Sequence, residues 1–173
     1  MDRGYYKILG LTIALLAAGA VVGYLFFYFL KEPSVFIIDK FKVLQGFFGI
    51  REYDQDMTLV YTLIIIFFGN LLSTLGYLGL GYLKASLPLA FITGFFIIIF
   101  LFSGTIRHAQ SIPADVILLV SVETVYRMLM LSYGEYWATY KNRNKPLAYA
   151  LISITAVLFL FGIGFEVYSI FYL

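Results

Sequence analysis

Residues 8–30, ILGLTIALLAAGAVVGYLFFYFL, run for 23 positions without a charged side chain. A helix that crosses a hydrocarbon core of about 30 Å needs about 20 predominantly apolar residues. This stretch therefore reads as a membrane-spanning helix. A barrel strand would alternate apolar and polar residues, whereas this run is apolar all round. Arg3 and Lys7 ahead of it, and Ala18-Gly19-Ala20 within it, imitate a cleavable signal peptide. The run nevertheless stays apolar from Val21 through Leu30, which marks a retained anchor.

Four further stretches of the same kind follow, at 58–82, 87–102, 113–133 and 146–172. The third is short and is separated from the second by little more than Lys84 and Ser86. It reads either as a thin crossing or as half of a tight hairpin with the second. The expected architecture is all-α: a polytopic bundle of about five spans, forming one integral membrane domain over 1–173.

Composition agrees. Of 173 residues, 62% are apolar and 13% charged, against about 45–50% and about 25% in soluble domains. A soluble fold of this size leaves roughly a third of its unfolded surface exposed and has no means of hiding so much apolar area. A net charge of +2 without a basic stripe excludes nucleic acid as a partner. No cysteine and a single histidine leave no thiolate or His-based metal site. Membrane lipids, and other membrane proteins or a second copy, are the expected partners.

With five spans, the N-terminus, the Lys84 turn and the loop at 134–145 share one side. That side carries Arg3, Lys7, Lys84, Lys141, Arg143 and Lys145 on short segments. The other side spreads Lys31, Lys40, Lys42, Arg51 and Arg107 over longer ones, among more acids. The density of Lys and Arg places the N-terminus in the cytoplasm and the C-terminus outside a cell membrane. Trp137 with Tyr133, Tyr136 and Tyr140 then forms the inner aromatic belt.

The one substantial loop spans 31–56. Pro33-Ser34 reads as a helix start capped by Ser34. Ile37, Phe41, Leu44 and Phe48 follow at i, i+4, i+7 and i+11, with Asp39, Lys40, Lys42 and Gln45 between them. This pattern predicts an amphipathic helix lying in the interface plane, as a cap on the bundle or a docking surface. Residues 51–56 read as a solvated connector.

Small residues mark where helices approach in lipid. Gly19 and Gly23 form a GxxxG in the first span, and Gly76 and Gly79 are the packing candidates of the second, with Gly81 beside them. Gly162 and Gly164 fall in the last span. Such residues serve contacts within the bundle or, alternatively, oligomerisation.

Four polar side chains stand at membrane depth, where an ionisable group is costly and faces protein or water. Glu123 and Arg127 lie one helical turn apart, in the favourable order for an intrahelical pair. Asn70 falls midway along the second span, and its amide both donates and accepts. Glu166 sits in the outer part of the last span. These four form either a site for a proton, ion or polar substrate, or a glue that fixes helix register. Hydrolytic and nucleotide-binding fingerprints are missing, so neither catalysis nor a cofactor is expected. His108, in 105–108, reads as part of a short outer turn.

The order of features resembles the stage II sporulation protein M family. The resemblance rests on Phe68-Gly69-Asn70-Leu71 in the second span and Thr93-Gly94 in the third. It also rests on Glu123, all that remains of a Pro-His-Gly-x-x-Glu motif, and on Phe165-Glu166-Val167-Tyr168-Ser169 near the end. It implies a five-helix bundle and, from the founding member's role in spore formers, a membrane scaffold that recruits cell-wall hydrolases. The functional expectation is a non-enzymatic scaffold or accessory subunit of a membrane complex. The alternatives are a small transporter or channel component using Asn70, Glu123 and Arg127, and a lipid-acting enzyme supported only by one buried Glu.

Overall fold

A computed structural model describes residues 2–47, 58–108, 112–141 and 145–172, with the backbone alone for 41–47 and 104–108. Among the described residues all regular structure is helical: α1 (Arg3–Phe29), α2 (Lys31–Phe47), α3 (Leu59–Tyr82), α4 (Ser86–His108), α5 (Ala114–Tyr140) and α6 (Lys145–Tyr172). Four are long and apolar enough to cross a membrane: α1, α3, α4 over Ser86–Ser103, and α6. Some hydroxyls on these helices donate to the carbonyl four residues back, as Thr12 does to Ile8 (2.9 Å) and Thr93 to Leu89 (2.7 Å). That is how a hydroxyl is satisfied where water is absent.

The close pairs are α1 with α4 and α3 with α5. The helix α5 touches α1, α3, α4 and α6, and so occupies the centre of the bundle. Consecutive α3 and α4 barely meet, because α4 packs along α1 instead. The tight-hairpin alternative is therefore not what forms. Nor is the third run thin: α4 is a helix of 23 residues that continues through 105–108, where an outer turn was expected. Pro88 falls in its first turn, which accepts proline, and the next proline is Pro113.

Between α3 and α4 the chain closes a Schellman motif. Ala85 N–H donates to Leu80 O (3.0 Å) and Lys84 N–H to Gly81 O (2.8 Å). Lys84 takes the left-handed conformation, φ 61°, which glycine ordinarily fills. Its Cβ strains that geometry, so Lys84→Gly is expected to raise stability by about 1 kcal/mol. Thermal melts in detergent check this, and a melting point lowered by the substitution counts against the motif as the constraint on the turn.

The helix α2 begins at Lys31, three residues earlier than the expected Ser34 cap. Pro33 fits the first turn, whose N–H groups have no intrahelical acceptor. Ser34 is instead a buried residue inside the helix, donating to Leu30 O at 2.8 Å. Ile38 is buried beside it and Phe36 is exposed, while Ile37 is half-buried. The inward row is thus Ser34–Ile38, one position on from the expected stripe at Ile37. Phe41 and Leu44 belong to α2, but their side chains, and the whole of Phe48 and 51–56, lie outside the described residues. The helix packs on α4 and α1.

Candidate functional site

The four polar residues form one connected chain across α5, α3 and α6. Arg127 Nη1 lies 3.1 Å from Glu123 Oε2, one turn back on α5. Its Nη2 donates to Asn70 Oδ1 on α3 at 2.7 Å. Asn70 Nδ2 in turn donates to Glu166 Oε2 on α6 at 3.4 Å. Thr74 Oγ1 donates to the Asn70 carbonyl at 2.7 Å. Asn70 is the junction, since its amide offers an acceptor to a cation and a donor to an anion. An aspartate or leucine there supplies only one of these or neither.

Apolar and aromatic packing surrounds this chain. Ile66 of α3, Tyr126 of α5 and Phe159, Ile163 and Val167 of α6 form one buried cluster. The rings of Phe67 and Tyr126 meet Phe159 edge-on at 5.4 and 5.9 Å. The guanidinium of Arg127 lies over the Tyr126 ring, 5.6 Å from its centroid. Arg127 Nε has no hydrogen-bond partner among the described residues. The ion pair keeps some exposure, 21% for the Arg127 side chain and 16% for Glu123. Chemically the arrangement neutralises charge and bridges helices. Among the described residues no group of His, Asp and Glu is arranged to hold a metal ion.

A second polar contact set ties one end of the bundle. Asp2 caps α1, its Oδ1 accepting from Gly4 N–H at 3.1 Å, while its Oδ2 accepts from Tyr136 of α5. Ser86 at the start of α4 donates to Glu135. The N-terminus, the Lys84 turn and the end of α5 therefore lie together. The apolar run of α5 ends at Tyr133, so Glu135 stands beyond it. Burial pushes its carboxyl above the ordinary carboxylate range, an effect the nearby Lys84 ammonium opposes. Nothing in the sequence singles out Asp2 or Glu135, because each finds its partner on another helix.

The glycines divide into two classes. A Cβ on Gly19 would fall 2.0 Å from Phe91 O, and one on Gly23 2.6 Å from Phe95 O, so both sit against the α4 backbone. Gly94 of α4 meets Leu16 O of α1 at 2.0 Å in the same sense. Gly81 and Gly134 make the corresponding approach between α3 and α5, against Leu131 O (2.0 Å) and Leu78 O (2.2 Å). A Cβ on Gly76 or Gly79, the expected packing residues of α3, would meet nothing within 4 Å among the described residues, and both face outward. The contact is made by Gly81, on the face shared with Asn70. Set against protein-family models, curated proteins and solved structures, the chain matches none.

Proposed function

We propose that this chain is a non-enzymatic, multi-pass membrane protein that serves as a scaffold or accessory subunit of a membrane complex. It crosses five times, α5 crossing beside α1, α3, α4 and α6, with its N-terminus cytoplasmic and its C-terminus outside the cell membrane. The observation that carries the reading is the chain Glu123–Arg127–Asn70–Glu166, whose members pair with one another across three helices. Polar groups spent on one another in this way fix helix register, and leave the outer surface of the bundle as the part that meets partners. The central position of α5 supports its crossing, because a helix sheltered by four others tolerates the ion pair. Gly76 and Gly79, on the exposed face of α3, offer a second helix a close approach that no described residue of the chain uses.

The resemblance to the stage II sporulation protein M family favours the same reading. Asn70, Glu123 and Glu166, three of the positions that carry it, are members of this one chain. A pull-down from native membranes, read by mass spectrometry after cross-linking, tests the proposal. A specific co-purifying membrane protein or a second copy is expected, and is lost in Gly76→Leu while the melting point holds. Recovery as a lone, well-folded monomer sinks it. The transporter reading draws on the residual exposure of Glu123 and Arg127. Ion or solute flux in liposomes that Glu123→Gln abolishes decides for that reading instead.

A further inference from the structure

Where the end of α5 meets the start of α6, a cleft of about 350 Å³ is lined by Tyr133, Trp137, Lys145, Ala148 and Tyr149. Its volume lies at the lower end of the roughly 300–1,000 Å³ usual for small-ligand sites. That size suits a headgroup rather than a whole lipid. Trp137 and Tyr149 are exposed, and the rings of Tyr133 and Trp137 stack at 6.4 Å, interplanar 28°. Aromatic side chains of this kind, apolar in body and polar at the tip, belong at headgroup depth. Lys145 supplies the charge within the cleft. Lys141 lies beside it, its N–H donating to Trp137 O at 3.0 Å.

We infer that this cleft binds the phosphate-bearing headgroup of an anionic phospholipid. Lys145 meets the phosphate, and Tyr133, Trp137 and Tyr149 flank the glycerol backbone. An aromatic cage by itself suits a quaternary ammonium. Here an ammonium group in the lining repels one, and two of the rings stack on each other rather than forming opposed walls. The assignment agrees with the placement of this end on the cytoplasmic side, where anionic lipids concentrate.

The protein supplies its own reporter, since Trp137 is its single tryptophan. Short-chain phosphatidylglycerol titrated into the detergent-solubilised full chain is expected to change Trp137 emission saturably. Lys145→Gln raises the half-saturation concentration about fivefold, the effect of removing one cation beside an anionic headgroup. Lys145→Arg retains binding. Equal response to phosphatidylcholine overturns the inference, as does an unchanged half-saturation in Lys145→Gln. Saturation by inorganic phosphate at the lipid's concentration overturns it too, by giving the cleft to a soluble anion.

Discussion

Arg127→Leu is expected to destabilise the folded protein by about 3 kcal/mol, and Glu123→Leu/Arg127→Leu together by much less. Removing one member of a buried ion pair strands the other charge, which costs about 3–5 kcal/mol, whereas deleting both for apolar residues is often close to neutral. The lower end applies because the two side chains keep 21% and 16% exposure. The single variant does more than strand Glu123. It deprives Asn70 Oδ1 of its 2.7 Å donor, freeing the amide that reaches Glu166, so α3 and α6 loosen together. In the double variant Asn70 Oδ1 loses the same donor, but no carboxylate is stranded beside the missing guanidinium, and that is the difference between the two. Unfolding in detergent or bicelles, followed by circular dichroism, measures the difference. Equal losses in the two variants mean that Glu123 and Arg127 do not act as a pair. Arg127→Lys separates charge from geometry: one ammonium does not reproduce the fork that reaches α5 and α3 at once, so an intermediate loss is expected.

The polar chain was legible because polarity is rare here. In runs that are apolar all round, any residue able to ionise or hydrogen-bond must find a partner inside the bundle. Asn70, Glu123, Arg127 and Glu166 had few groups other than one another to find. The azimuth of each helix was harder to read for the same reason: a helix in lipid has no polar face to set against an apolar one. The signal that remained was angular. At 3.6 residues per turn, Gly81 lies about 20° from Asn70 around α3, whereas Gly76 and Gly79 lie about 120° and about 180° away. Gly134 lies about 20° from Arg127 on α5, and Gly19 about 20° from the buried Thr12 on α1. On α1, α3 and α5 the packing glycines share the face of an inward polar side chain, whereas counting glycines alone does not separate Gly81 from Gly76 and Gly79. The start of α2 and the far end of α4 were misread for a different reason. Pro33 reads as a boundary although a first helical turn accepts it, and residues 105–108, read as an outer turn, include no glycine or proline to stop a helix.

The largest loss is expected where a side chain meets backbone. In Gly94→Leu the new Cβ would stand 2.0 Å from Leu16 O and 2.9 Å from Ala20 N, whereas ordinary contact begins at 3.4 Å. Neither atom belongs to a side chain that can turn aside. The only relief is for α1 and α4 to move apart along the crossing where Gly19 and Gly23 also pack. Overpacking a core costs about 1–3 kcal/mol when side chains yield. With backbone on both sides, and the extensively packed α1–α4 pair parted, the cost rises above that range. Loss of the folded state in mild detergent is the expected result. Even Gly19→Ala, with its Cβ 2.0 Å from Phe91 O, is expected to lose about 3 kcal/mol. The matched control is Gly76→Ala, whose Cβ enters open space. There the removal of a flexible glycine stabilises the helix by about 0.5–1 kcal/mol. The two alanine variants are the same chemical change in spans of the same chain, so propensity alone predicts the same sign for both. Opposite signs in unfolding free energy identify the close α1–α4 crossing as the cause. A neutral Gly19→Ala means that the helices stand further apart than 2.0 Å allows.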